Sequence, residues 1–139
     1  MRKRQTGFTL MELMVVIVIV AILAAVAVPL YVNYVKDAQR TEAKAAIGAV
    51  ITAEQTYFQL NPSGGTPKYF AEPNFTLNGV GQTLNCDLTD ALKNWDIKVT
   101  AADNLGFTVR ADGKLGGPTD GRMVQLIYLR SGQPQWSEN

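Results

Sequence analysis

The stretch that decides the fold is residues 7–35, which read GFTLMELMVVIVIVAILAAVAVPLYVNYV. From Leu13 to Val35 it contains 23 consecutive residues without a charge. As an α-helix that run measures roughly 35 Å, which is long enough to cross the hydrocarbon core of a membrane. Basic residues at positions 2–4 precede it, and such residues keep their end of a membrane span in the cytoplasm. The pattern predicts a membrane-inserted N-terminal helix with the remainder of the chain exported.

Three ordinary kinds of N-terminal segment share this pattern, but none of them accounts for Glu12. A secretory signal would use Ala25-Val26-Ala27 as its cleavage site, a simple anchor would stay uncut, and a core helix would be shorter and more polar. None of these explains a carboxylate at the edge of a membrane span. Such a charge is costly in lipid and indicates a function with a partner.

Residues 7–13, GFTLMEL, follow a short basic leader and precede a long apolar run. This arrangement resembles the prepilin signal of type IV pilins and of the pseudopilins of type II secretion. The resemblance implies that a membrane-embedded prepilin peptidase cuts between Gly7 and Phe8 and that the new amino group of Phe8 is methylated. It also implies that Glu12 pairs with the Phe8 amine of a neighbouring subunit during assembly. The alternative is that Glu12 pairs with its own Phe8 amine, about one helical turn away.

The helix is expected to continue well beyond the apolar run, from about Phe8 to Leu60. Pro29 lies inside it and predicts a kink, because proline removes a backbone hydrogen bond and clashes with the preceding turn. From residue 36 onward the charges alternate in sign and the apolar residues recur at helical spacing. The packing positions of this stripe include Ala46, Ile47, Val50 and Tyr57.

The C-terminal part predicts a small antiparallel sheet. Period-2 alternation marks strands at residues 95–101, 105–111 and 123–130, with a short fourth strand at 135–137. Residues 61–93 form a connecting region, with a turn of helix at 89–93. The fold class is therefore α+β: a long N-terminal helix, half membrane span and half amphipathic, packed against three or four antiparallel strands. The resemblance implies that this is the pilin fold.

The family resemblance also divides the chain into three parts. Residues 1–7 are the leader that the peptidase removes, 8–35 are the transmembrane and filament-core helix, and 36–139 are the globular head with the amphipathic half of the helix.

Composition excludes several kinds of site. The chain has no histidine, which removes Ser-His-Asp and Cys-His catalysis and histidine-ligated zinc. Its formal net charge is +1 and no basic run follows the leader, so no nucleic-acid partner is predicted. The single cysteine, Cys86, cannot form an internal disulfide. We therefore expect neither an enzyme nor a bound cofactor.

Calcium is the one metal that the sequence keeps open. Some major pseudopilins bind calcium in a C-terminal loop, which makes Asp112 and Asp120 the residues of interest here. These residues lack the spacing of a calcium-binding loop, and aspartate is common in turns for conformational reasons. No metal site is therefore predicted.

The expected function is structural: a type IV pilus subunit that polymerises through its N-terminal helix into an extracellular filament. The partners implied are other copies of the chain, the prepilin peptidase, an inner-membrane assembly platform with its ATPase, and membrane lipid before assembly. The precursor would reside in the inner membrane with its N-terminus in the cytoplasm, and the product on the cell surface. A type II secretion pseudopilin is the alternative, and a membrane-anchored binding domain that never polymerises is the second.

Overall fold

The computed structural model describes residues 7–61, 68–72, 75 and 83–139. The chain divides into two compact units, Met1–Asp37 and Ala38–Asn139. The basic residues 2–4, predicted to belong to a leader, and the turn predicted after residue 61 lie outside the described residues.

Helix α1, Leu10–Leu60, is 51 residues long and contributes to both units. Its end matches the sequence expectation, but it begins at Leu10 rather than at Phe8, because Thr9 occupies the capping position before the first turn. Pro29 lies inside the helix, and helical structure is assigned on both sides of it.

Four strands form one antiparallel sheet in chain order, and the sequence predicted three or four antiparallel strands. They are β1 (Trp95–Ala102), β2 (Gly106–Gly113), β3 (Met123–Leu129) and β4 (Gln135–Glu138). The α+β fold class is confirmed.

The strand ends differ from the prediction by one or two residues for local reasons. Strand β2 begins at Gly106 rather than at Leu105, because Asp103 Oδ1 accepts the backbone N–H groups of both residues, at 2.9 and 2.7 Å. This contact closes the turn between β1 and β2 before the ladder starts. The turn of helix predicted at 89–93 is a single 3-10 turn, Ala91–Lys93.

The head core lies between one face of the sheet and the second half of α1. Alternate residues of β1, namely Trp95, Ile97 and Val99, are buried, and the facing side chains of β2 and β3 join them. This period of two is what one buried sheet face requires. Other fully buried members of the core are Ala43, Ile47, Val50, Val109, Ala111, Val124 and Leu126.

Part of the connecting region covers the free edge of β1. The backbone N–H of Val99 donates to the carbonyl of Glu72 at 2.8 Å, and that of Tyr69 donates to the carbonyl of Asp103 at 3.0 Å. Phe75 donates to Ile97 at 3.3 Å in the same way. These bonds satisfy backbone groups that an edge strand would otherwise leave open.

Candidate functional site

Thr9 and Glu12 form a reciprocal capping box at the start of α1. The backbone N–H and the hydroxyl of Thr9 donate to Glu12 Oε2 at 2.9 and 2.8 Å, and the backbone N–H of Glu12 donates to Thr9 Oγ1 at 3.2 Å. The first turn of a helix lacks internal acceptors for its N–H groups, and a capping box supplies them. The Glu12 carboxylate therefore has a local hydrogen-bond partner, Thr9, within its own chain.

Gly7 and Phe8 precede this box and are both exposed, Phe8 to 89%. A Cβ placed on Gly7 would meet no heavy atom of the described residues within 4 Å. None of the described side chains therefore covers the Gly7–Phe8 peptide bond. While the bond is intact, Phe8 carries an amide nitrogen and no amine, so Glu12 cannot form an ion pair with its own Phe8.

The helix that follows exposes almost every apolar side chain it has. From Leu10 to Tyr34 its large apolar residues are at least 44% exposed, and none of its most hydrophobic 18-residue window is buried. Among the described residues this is one helix with the length and composition to cross a membrane. An apolar surface of this size requires lipid or other helices around it.

Pro29 falls within this exposed run, with helical residues before and after it. Its ring leaves the carbonyl one turn back without its usual donor. The kink predicted at Pro29 stays a prediction.

The four predicted head-packing residues lie on the side of α1 that faces the sheet. Ile47 and Val50 are fully buried and Ala46 is 7% exposed. Tyr57 is partly buried and its ring lies 5.4 Å from that of Phe70 in the connecting region.

The two aspartates considered for calcium are both engaged by the chain's own groups. Asp112 accepts Arg110 Nε at 2.7 Å and pairs with Lys98 Nζ at 3.0 Å. Asp120 accepts the backbone N–H of Gly116 at 2.8 Å. Among the residues that the structure describes, no group of three or more His, Cys, Asp or Glu side chains is placed to hold a metal ion.

Cys86 is half-buried beside a groove of about 520 Å³ that runs between α1 and residues 83–87. Burial, with the negative charges of Glu72 and Glu54 nearby, raises the pKa of its thiol to about 11. A thiol in such surroundings is largely protonated near neutral pH and is a poor nucleophile.

Sequence reasoning missed two buried acidic residues and the capping role of Thr9. Glu54 is fully buried and Glu72 is 5% exposed, and each accepts a backbone N–H from the connecting region. A signal for Glu54 was present, because it follows Ile47 and Val50 at helical spacing and so lies in the apolar stripe. The signal for Thr9 was its position three residues before Glu12, which is the spacing of a capping box.

Comparison with known proteins supports one family. Residues 2–28 match the family model described as the prokaryotic N-terminal methylation motif. The chain is 49% identical over 69 residues to the type IV pilus subunit protein TapA of Aeromonas hydrophila, an alignment that covers 46% of this chain and 49% of TapA. It therefore spans about half the length of that curated relative. No solved structure matches the chain.

Proposed function

We propose that this chain is a type IV pilin-family protein and serves as a structural subunit of a type IV pilus. The observation that carries the proposal is the exposed apolar surface of α1 from Leu10 to Tyr34, which directly follows the exposed residues Gly7 and Phe8. In the membrane, lipid covers that surface. In a filament, the same surface of neighbouring subunits covers it.

Processing prepares the helix for assembly. We propose that prepilin peptidase cleaves the exposed bond between Gly7 and Phe8, where glycine has no side chain to keep the enzyme from the backbone. Removal of residues 1–7 takes away three basic residues and leaves ten against twelve acidic ones in the mature chain. It also creates a charged amine on Phe8, which is then N-methylated.

The new amine changes what Glu12 can do. In lipid an isolated carboxylate and an isolated amine are each expensive, whereas the pair is tolerable. A Phe8 amine of an adjacent subunit is therefore a stronger partner for Glu12 than the Thr9 hydroxyl and amide that hold it in the precursor. If Glu12 exchanged its contact with Thr9 for the Phe8 amine of an adjacent subunit, this pairing would set the axial register between the two subunits.

The three parts of the chain then have separate roles. Residues 1–7 are the leader, 8–35 anchor the precursor in the inner membrane and later form the filament core, and 36–139 form the exported head. Pro29 provides a point at which the core helix bends or loosens on packing. The partners are other copies of the chain, the peptidase, and an inner-membrane platform with its ATPase.

A pseudopilin of type II secretion remains the alternative within the family. Its calcium-binding version would need Asp112, which Lys98 and Arg110 already engage. The groove beside Cys86 gives little support to a catalytic role, because burial raises the pKa of that thiol to about 11 and leaves it a poor nucleophile near neutral pH.

Intact mass and N-terminal sequencing of filaments sheared from cells test the proposal. The expected chain begins at N-methylated Phe8. A chain that begins near Val28, or an uncut Met1 that stays in the membrane fraction, would contradict it and favour an exported or anchored domain that does not polymerise.

A further inference from the structure

Two buried carboxylates hold segment 68–72 and residue 83 in the head. Glu54 on α1 accepts the backbone N–H of Phe70 at 2.9 Å, and Glu72 accepts the backbone N–H of Thr83 at 2.9 Å. Segment 68–72 is thereby bound to the helix, and residue 83 is bound to segment 68–72. The carbonyl of Glu72 in turn accepts the N–H of Val99 from β1. Both acids thus lie where helix, sheet and connection meet.

The buried side chain of Glu54 is only half satisfied. The residue is 0% exposed, and its second oxygen, Oε1, has no hydrogen-bond partner among the described residues. Within the same part of the chain, neither Glu54 nor Glu72 takes part in an ion pair with a lysine or arginine. A buried carboxylate without a cation is costly when it is ionised.

None of the described groups that shift the pKa of Glu54 is a cation. Glu72 and Tyr69 lie on segment 68–72 and Cys86 lies on the segment that follows residue 83. Tyr128, near the end of β3, and Arg130, directly after it, act on Tyr69. Burial, then the charge of Glu72, raises the pKa of Glu54 to about 7, although the bond from Phe70 works in the opposite direction.

We infer that Glu54 is a pH-sensitive switch for segment 68–72, which is held on α1 while Glu54 is protonated and is released more readily once Glu54 is ionised. Protonation places a hydrogen on the unpartnered side of the carboxyl and leaves Oε2 to accept the Phe70 N–H. Ionisation instead leaves two acidic residues close together in a buried site without a cation. Opening of the segment returns the carboxylate to water.

The direction of the pH effect follows from proton linkage. In the open segment Glu54 is hydrated and has an ordinary pKa, near 4.5, whereas in the closed segment its pKa is about 7. The closed state therefore binds the proton more tightly. Closure is favoured most below about pH 4.5, weakens as the pH rises from there to 7, and is constant above that.

Amide hydrogen exchange of the full-length protein in detergent micelles, followed residue by residue by NMR, tests the switch. After correction for intrinsic exchange, the opening constant at the Phe70 amide should rise roughly tenfold or more between pH 5 and pH 7. The Val109 amide, in the centre of the sheet, reports global unfolding. In Glu54→Gln, which keeps an oxygen acceptor without titrating, the rise at Phe70 should disappear. Glu138→Gln, at an exposed carboxylate, should retain it.

Cys86 supplies a second measurement that needs no substitution. At a pH well below the pKa of Cys86, the thiolate fraction rises tenfold per pH unit. If the site stays closed, the rate of reaction with a thiol reagent should therefore rise tenfold per pH unit and no more. We expect the wild-type rate to rise more steeply than this between pH 5 and 7. A wild-type protein with a flat opening constant at Phe70, or a Glu54→Gln protein with the wild-type rise, would overturn the inference.

Discussion

The side-chain amide of Asn94 contacts Glu42 in the head and donates to both of its carboxylate oxygens, at 3.2 and 3.4 Å. Asn94 immediately precedes β1, and Glu42 lies on α1, 52 residues earlier in the chain. The carbonyl of Asn94 also accepts Thr119 Oγ1 at 2.5 Å and the N–H of Lys114 at 3.0 Å. One residue thus joins the helix, the start of the sheet and the loop between β2 and β3.

Asn94→Asp tests this junction, because it replaces the donor with a carboxylate of the same shape opposite Glu42. We expect a loss of about 1–3 kcal/mol in the free energy of unfolding, since a partly buried hydrogen bond becomes a repulsion. Urea unfolding of the full chain in detergent measures it. Asn104→Asp, in an exposed turn, is the matched control and should change little. Equal effects of the two substitutions would show that the junction adds no stability.

Thr9→Val should loosen the first turn of α1, because valine has no oxygen for the N–H of Glu12 and no hydroxyl for its carboxylate. The backbone amides of residues 10–12 should then exchange severalfold faster than in the wild type. Thr9→Ser keeps the hydroxyl and should behave as the wild type does. Exchange that is the same in Thr9→Val would mean that the capping box contributes nothing to the start of the helix.

Glu12→Gln should abolish filaments without affecting membrane insertion. The glutamine is uncharged and cannot neutralise the Phe8 amine of a neighbour, whereas the apolar span that directs insertion is unchanged. The amounts of the protein in the membrane and in the sheared surface fraction give the measurement. Glu138→Gln controls for the loss of a carboxylate elsewhere. Normal filament yield from Glu12→Gln would remove the pairing from the proposed mechanism.

Gly113→Ala should destabilise the head. A Cβ at this last residue of β2 would collide with the backbone carbonyl of Thr119, which cannot move as a flexible side chain can. We expect a loss of about 1–3 kcal/mol in the free energy of unfolding. Gly48→Ala is the opposite case: nothing lies within 4 Å of its Cβ position and the residue is helical, so a gain of about 0.5–1 kcal/mol is expected. Thermal unfolding of both variants gives the comparison, and a Gly113→Ala protein as stable as the wild type would contradict the close approach.

Asp112 should contribute to stability only above acidic pH. Partial burial alone would raise the pKa of Asp112. Hydrogen bonds from Arg110 and Lys98 outweigh that effect and hold the pKa below its ordinary value of 3.8. Because the folded-state pKa is lowered, the stabilisation is present above about pH 4 and is lost as the pH falls below it. Urea midpoints from pH 2 to 6 should show this loss in the wild type and a shallower one in Asp112→Asn. Asp90→Asn, at a highly exposed carboxylate, serves as the control, and identical pH profiles for wild type and Asp112→Asn would refute the assignment.

The sequence alone determined the helix, the positions of the strands and the family resemblance. Each rests on a local or periodic signal: an apolar run before residue 36, a stripe with a period of 3.6 after it, and a period of two from Trp95 onward. The same kind of signal marked Ile47 and Val50 as residues that face the sheet. These features depend on the spacing of side chains along the chain, which the sequence displays directly.

Only the tertiary structure decided which polar groups meet. The contact of Asn94 with Glu42, and the placement of Glu54 beneath Phe70 and near Glu72, join residues that are far apart in the chain. Hydrogen bonds depend on distances of a few tenths of an ångström and on burial, and neither follows from periodicity. The sequence therefore determined which surfaces pack, whereas the folded head decided that an acid in the helical stripe would be buried without a cation.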